Sequence, residues 1–483
     1  MPEKPSDLLE KRFPFEPTSG QKAFFGQMDN FLDQDKWAHQ AFILRGYAGT
    51  GKTSLVAALI KVLPKFNYKS VLLAPTGRAA KVMSNYSGKK ANTIHKKIYK
   101  QVANPFSGSL EFKRMKNSSS LTIYIVDESS MISDDAEFGS AGLLTDLIDY
   151  VFMNEDGDLG NKIIFIGDTA QLPPVKTNMS PALDIDYLKS QFHMGVDGTE
   201  LTEVMRQEAN SGILFNATRL RDTINYANQL PLEQQNKELL KLKFHTKGYN
   251  DMYKMTADRL EDGLNYAYRK FGRENTIIVT RSNKEAVAYN RYIRQRVFFQ
   301  EEEIASGDML MIVRNNYFFL TEESSAGFLA NGDFVEIMKI KKQQDLYGFR
   351  FADVILRLID YPDEPDFEAK ILLDALYSDT PALSTEQNKK LYEAIAEEYL
   401  HIVNKRERLE AIRKNVFLNA LQVKFAYALT CHKSQGGQWA AVFVDQGYLT
   451  DEKINIDWLR WLYTGITRSQ EELYLVNFNQ SFF

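Results

Sequence analysis

A single cysteine, Cys431, stands in a chain of 483 residues. No intrachain disulfide can form and no thiolate cluster can hold zinc, which argues against an exported, oxidised protein. Histidine is scarce as well, with six in all, and no pair has metal-ligand spacing, so a histidine metal centre is excluded. No apolar run approaches the length that crosses a bilayer, and the opening Met-Pro-Glu-Lys-Pro-Ser-Asp lacks an apolar signal core. A cytoplasmic protein with no membrane partner is expected. A large charge of one sign is missing too: the formal net charge is −4, which excludes a wholesale basic wrapper but leaves room for a local basic groove. Residues 61–116 are rich in Lys and Arg whereas 134–158 are acidic, so the first segment is the side that would face a polyanion.

With 44% hydrophobic and 25% charged residues, the chain is globular and too long for one ordinary core, so several packed units are expected. The most informative segment is Gly46-Tyr-Ala-Gly-Thr-Gly-Lys-Thr53, which leaves the apolar run 41–44 and enters a predicted helix over 54–63. Strand, glycine-rich loop and helix is the context of a phosphate-binding loop. Its glycines turn N–H groups toward phosphate oxygens, Lys52 neutralises the terminal phosphates, and the Thr53 hydroxyl holds Mg²⁺. ATP and Mg²⁺ are therefore the expected cofactors.

Further apolar runs at 71–74, 121–126 and 162–166 read with 41–44 as buried parallel strands whose carboxyl ends make the site. A second set at 276–280, 425–430, 440–444 and 472–476 reads as another α/β half, interrupted by strand-like runs at 308–313, 334–340 and 353–359 and a charged helical stretch over about 385–420. The helical stretch reads as a hairpin or tower packed on a small barrel. After the strand 121–126, Asp127 would help hold Mg²⁺ and Glu128 would orient and deprotonate the attacking water. Gln171, in Gly167-Asp-Thr-Ala-Gln-Leu-Pro-Pro174, is placed to sense the terminal phosphate, and Arg206 and Arg468 are candidates to stabilise the transferring phosphoryl group. Lys81, Lys89, Lys90, Lys96, Lys97 and Lys100, with Tyr86, Tyr99 and Phe106, read as charge and stacking faces for a nucleic-acid strand. Gln101–Ser120 reads either as a surface loop with Phe106 and Phe112 buried against its base or as a hairpin wedge.

Taken in order, GYAGTGKT, APTGRAAKVM, TIH, IVDESSM, GDTAQLPPV, LTEVMRQ, TCHKSQGGQ and YTGITR resemble the motif series of superfamily 1 helicases, in the RecD-like and Dda-like branch, over about 21–468. The resemblance implies two RecA-like domains, with a pin insert in the first and an SH3-like β-barrel plus helical insert in the second. The implied boundaries are 1–98 and 121–210 for motor domain 1, 99–120 for the pin, 211–300 and 425–483 for motor domain 2, and 301–424 for the barrel insert. It implies an ATP-dependent, monomeric 5′ to 3′ DNA helicase acting on single-stranded DNA and at single/double-strand junctions, with replication or repair proteins as the expected partner class.

By that resemblance, Gln21 reads the adenine, and Gly49, Thr50, Gly51, Lys52, Thr53 and Ser54 line the nucleotide, with Gln435 and Gly436 approaching it from the second half. Lys52, Glu128, Gln171, Arg206 and Arg468 match catalytic positions, and Thr53 and Asp127 the metal. Pro75, Thr76 and Arg78, then Thr93 and His95, then Thr430, His432 and Ser434 match DNA contacts, while Phe106 and Phe112 fall where the pin lies. Gln438 replaces the usual acid after HKSQG, following an added Gly437 read as flexible, which points to weaker discrimination at the sugar. The short run before Gln21 leads us to expect a free-standing enzyme. The competing readings are a translocase that displaces bound proteins, a nucleotide-gated DNA-binding switch, and an RNA-directed motor.

Overall fold

The computed structural model describes residues 3–33, 39–103, 110–135, 142–153, 159–175, 177–205, 210–321, 324 and 326–483. In the first part of the chain the strands are β1 (Gln40–Gly46), β2 (Lys69–Ala74), β3 (Ala91–Thr93), β4 (Tyr99–Ala103), β5 (Leu110–Arg114), β6 (Thr122–Val126), β7 (Lys162–Gly167) and β8 (Gly195–Leu201). Six of them form a parallel sheet in the order β3-β2-β6-β7-β1-β8. Alternate residues serve opposite faces. Phe42, Leu44, Ile123 and Ile125 enter one core, and Ile43, Tyr124, Val126 and Phe165 enter another. Cover on both faces is why these strands read as continuous apolar runs.

The second part contains β9 (Met252–Met255), β10 (Thr276–Thr280), β11 (Met309–Ile312), β12 (Phe334–Leu346), β13 (Phe349–Leu358), β14 (Phe367–Leu372), β15 (Leu421–Phe425), β16 (Ala428–Thr430), β17 (Trp439–Asp445) and β18 (Ser469–Val476). A parallel sheet runs β16-β10-β17-β18-β9, and β11 to β15 close into a barrel. The result is the expected α/β architecture of two parallel sheets with a barrel interrupting the second. The helices Thr385–Glu398 and Lys405–Arg413 pack Leu391, Ile395 and Ile412 against Phe351 and Leu372 of the barrel. No helix among the described residues is long and apolar enough to cross a membrane.

Several strand readings need correction. The run 425–430 is not one strand: β15 ends in the barrel at Phe425, and β16 begins in the second sheet at Ala428. Both pieces are buried and apolar, so hydropathy cannot show the change of sheet. β8 and β9, unread in the sequence, are edge strands of their sheets; β8, Gly-Val-Asp-Gly-Thr-Glu-Leu, lacks the two-sided apolarity of a central strand. The segment 99–114 forms an antiparallel hairpin pairing Tyr99 with Arg114 and Ala103 with Leu110. Phe106 lies outside the described residues; Phe112 is in β5 opposite Gln101, its side chain likewise outside the description.

Barrel and second sheet are joined through buried polar groups. Arg294 donates from Nε to Asp308 Oδ1 at 3.0 Å and pairs through its Nη2 with Oδ2 at 3.0 Å. Tyr427 Oη donates to the same carboxylate at 3.1 Å, and the backbone N–H of Ala305 does so at 2.7 Å. Asn290 Oδ1 accepts from the N–H groups of Tyr427 and Ala428 at 3.0 and 2.9 Å, holding the crossing between β15 and β16. Asp308→Ala strands a buried guanidinium and is expected to cost about 3–5 kcal/mol, read as a lower urea midpoint; a loss below about 1 kcal/mol would show that the joint is not held by this pair.

Candidate nucleotide and nucleic-acid site

The carboxyl ends of β1, β6 and β7 converge, as the topology of a parallel sheet requires. After β1 the loop 46–53 turns through Gly49 and Gly51 at φ 74° and 82°, left-handed values that glycine adopts without strain. Its carbonyls are bonded from behind. Lys52 Nζ donates to Gly46 O and Tyr47 O at 2.6 and 2.9 Å, Gln21 Nε2 to Thr50 O at 3.0 Å, and the Met205 N–H to Gly49 O at 3.0 Å. Gln21 is fully buried, and its Oε1 accepts from the Thr18 N–H at 3.0 Å, so both ends of the amide read as the adenine contact already hold protein. The helix beginning at Lys52 presents its N-terminus and the exposed Thr53 and half-buried Ser54 to the loop, an anion-binding arrangement. A Cβ at Gly51 would come within 2.6 Å of Gln21 Nε2 and 2.7 Å of Met205 Sδ.

Asp127 and Glu128 follow β6. Tyr86 Oη donates to Asp127 Oδ2 at 2.7 Å and the Glu128 N–H to Oδ1 at 2.8 Å. Burial, then the neighbouring Glu128, push the Asp127 carboxyl up to about 6. Glu128 is held at φ 51°, ψ 37°, a left-handed conformation that is costly for this residue type and common at functional sites. Asp168 after β7 is raised by burial, with Lys52 and Tyr463 opposing the shift. Gln171 is buried and its Oε1 has no hydrogen-bond partner, a polar atom that a triphosphate or its water would satisfy. Among the described residues no three His, Cys, Asp or Glu side chains gather as a metal cluster. Mg²⁺ would therefore depend on Thr53, Asp127 and phosphate oxygens, a donor set suited to a hard cation that keeps several waters.

The second half closes directly on these loops. Arg468 is buried; its Nη1 lies 3.6 Å from Glu128 Oε1 and donates to Gly437 O at 3.3 Å. Tyr463 Oη donates to Asp168 Oδ2 at 2.7 Å and accepts from the Ala48 N–H at 3.0 Å. Thr464 Oγ1 accepts from the Leu172 N–H, and Gln435 Nε2 donates to Leu172 O, both at 2.8 Å. Gly436, at φ 72°, lies where a Cβ would come within 2.8 Å of Ala79 Cβ and 3.1 Å of Thr76 Oγ1, so its glycine lets the halves approach. Gly437 has no left-handed φ; a Cβ there would come within 2.6 Å of the Trp439 ring. Close packing, not flexibility, accounts for it. Arg206 lies outside the described residues. The roles of Tyr463 and Thr464 escaped the sequence reading, since their partners are remote in the chain.

The positions expected to touch DNA fall on two surfaces that meet. Thr76 and Thr93 are helix caps, their hydroxyls accepting from the N–H groups of Ala79 and Lys96 at 3.2 Å. Pro75 is half-buried, while Thr430 and His432 are accessible at the end of β16. Burial holds the His95 imidazole down near 4 and Lys96 near 8, so His95 is neutral at physiological pH. Several positions differ from the expectation of open contacts, among them Thr93, which is buried. Ser434 is fully buried and donates to Cys431 O at 2.8 Å. Arg78 stacks 4.2 Å from the Trp439 ring and donates to Gln438 O at 3.3 Å, bridging to the second half. Lys81 and Lys89 are engaged by protein oxygens, Lys81 by Ile359 O and Asp360, and Lys89 by the carbonyl and hydroxyl of Ser70. Tyr86 serves Asp127 and is no stacking face.

Gly51→Ala adds both strain and a close contact at the loop. It should lower thermal stability by about 1–3 kcal/mol equivalents and abolish binding of a fluorescent ATP analogue; unaltered binding would remove the loop from the site.

Two family models match the chain, an AAA domain over residues 34–227 and a UvrD-like helicase C-terminal domain over 425–476. An uncharacterized protein of Acanthamoeba polyphaga mimivirus is 25% identical over 507 aligned residues, covering 92% of this chain and 96% of that protein. The ATP-dependent RecD2 DNA helicase of Deinococcus radiodurans is 27% identical over 198 residues, 41% of this chain and 24% of that one. The ATP-dependent DNA helicase dda of Enterobacteria phage T4 is 32% identical over 208 residues, 42% of each chain. The matches to the two named helicases thus span less than half of either. With the ordered motifs placed at the strand ends of two parallel sheets, the chain is similar to the superfamily 1 helicases of the RecD-like and Dda-like kind.

Proposed function

We propose that this protein is an ATP-driven motor that moves 5′ to 3′ along single-stranded DNA and separates duplex ahead of it. The observation that carries the reading is the cleft: the phosphate loop, Asp127, Glu128 and the Asp168–Gln171 loop lie on one half, and Arg468 meets Glu128 from the other. A hydrolytic site divided in this way links nucleotide turnover to the approach of the two halves. Glu128 would orient and deprotonate water, Lys52 and Arg468 would neutralise charge on the transferring phosphoryl group, and Thr53 with water held by Asp127 would position Mg²⁺. Arg206, Gln171 and Gln435 are assigned to the same site by their place in the motif series. Thr76, Thr93, Thr430 and His432, at the strand ends of both halves, are proposed as the two grips on the strand, each bonded to phosphate and sugar. Polarity and preference for DNA come from the RecD-like and Dda-like resemblance. The hairpin β4–β5 is proposed as the wedge, and since opening a base-pair step costs about 1.4 kcal/mol, it need only block reannealing.

Duplexes carrying either a 5′ or a 3′ single-stranded tail test this directly. Unwinding from the 5′ tail alone, abolished by Lys52→Ala, is the expected result. DNA-stimulated hydrolysis without strand separation would put the protein-displacing translocase first.

The raised Asp127 carboxyl gives a second test. Only its ionised form can hold the metal's water, so turnover should rise as pH passes about 6 and level off above. Folding stability should run the other way, falling between about pH 4 and 6, where the folded state keeps a proton that the unfolded state has lost. Tyr86→Phe removes a hydrogen bond that favours the ionised carboxylate, so the acid limb of kcat should move to higher pH. A limb that stays in place would mean that Asp127 does not set it.

A further inference from the structure

The two halves are tied by contacts that need no nucleotide. The core of the second half and barrel includes Tyr47 of the phosphate loop and Ala170 and Leu172 of the loop after β7. Tyr47 stacks on Arg221 at 4.6 Å, donates from Oη to Glu200 at 2.8 Å and accepts from Asn225 Nδ2 at 3.3 Å. Arg221 and Asn225 belong to the helix Gly212–Ala227, which packs beside the helix Ile456–Ile466 that carries Tyr463. Tyr463 is fully buried, and its single hydroxyl joins the Ala48 N–H of the phosphate loop to Asp168 of the second loop.

From this geometry we infer that Tyr463 is a positioning residue, a latch whose hydroxyl holds the phosphate loop and the Asp168 loop against the second half and sets how readily the cleft accepts nucleotide. Both bonds of its hydroxyl are to protein, one to each loop. It acts through Ala48 and Asp168, and because its helix leads straight to Arg468, movement of the second half must either carry both loops along or break this hydroxyl's bonds. The half-buried Ala48 N–H and the buried Asp168 Oδ2 share this one partner, so its loss leaves both atoms without it, and Asp168 keeps only the Ala170 N–H on its Oδ1. The open cleft then gains population, and nucleotide affinity falls by the fraction of competent molecules lost. The nucleotide part of this inference rests on reading the site as an ATPase.

Tyr463→Phe keeps the ring in its slot and removes only the hydroxyl. The experiment compares the full-length variant and parent by amide hydrogen exchange without nucleotide, by thermal unfolding, and by steady-state hydrolysis on saturating single-stranded DNA. Peptides covering 46–53 and 167–173 should exchange about tenfold faster in the variant, with the barrel strands unaltered. KM for ATP should rise about tenfold with kcat little changed. Asp168→Asn, which weakens the same bond, should speed exchange of the same peptides, and the double variant should add less than the sum of the singles. Unaltered exchange of both loops overturns the latch. Faster exchange spread over the barrel, with a lowered unfolding midpoint, overturns it in favour of a general folding role. Faster loop exchange with an unaltered KM overturns the link to nucleotide. Faster loop exchange in a protein whose parent form hydrolyses no ATP supports the latch and overturns the ATPase reading instead.

Discussion

If a loop is to offer its N–H groups to phosphate, every carbonyl on its other side must be bonded from behind, because a buried peptide group without a partner is costly. Here four residues, Gly46, Tyr47, Gly49 and Thr50, have their carbonyls bonded by Lys52, Met205 and Gln21. Each donor comes from a different place: the helix that follows the loop, the chain beyond β8, and the capping box of the helix Ser19–Phe31. The loop's shape is therefore a property of the whole first sheet. Lys52 is part of that scaffold, and in the proposed role its side chain would trade carbonyls for phosphate.

The same requirement reaches across the cleft. Ala48 turns its N–H toward the second half, where Tyr463 receives it, and Leu172 is bonded through both its N–H and its carbonyl by Thr464 and Gln435. The groups proposed for hydrolysis and the groups that connect the halves thus occupy the same few loops. Glu128 illustrates the sharing: it sits in a left-handed conformation, donates its N–H to Asp127 and faces Arg468.

How much of this could be read from the residues follows from where the information lies. The central strands were legible because both their faces are buried, which writes uninterrupted runs such as Thr-Ile-Tyr-Ile-Val and Thr-Ile-Ile-Val-Thr. The phosphate loop was legible because its left-handed turns need glycine and its strand and helix are adjacent. The edge strand β8 was not legible, since it mixes polar residues and glycine, and neither was the change of sheet between β15 and β16. Least legible were the pairings. Tyr463 and Asp168 are 295 residues apart, and no local pattern announces that a tyrosine will bridge two loops. Charge misled in a similar way: Lys81 and Lys89 belong to a basic stretch, yet each spends its ammonium on nearby protein oxygens.

The passage from barrel to second sheet has a mechanical consequence. Only Ala426 and Tyr427 separate β15 from β16, Asn290 grips the passage by both amide ends, and the strand that follows stops at Thr430. Such a linkage has almost no backlash. A tilt of the barrel would therefore pull on Thr430 and His432 through this short passage, as a lever arm with its fulcrum at Asn290 would.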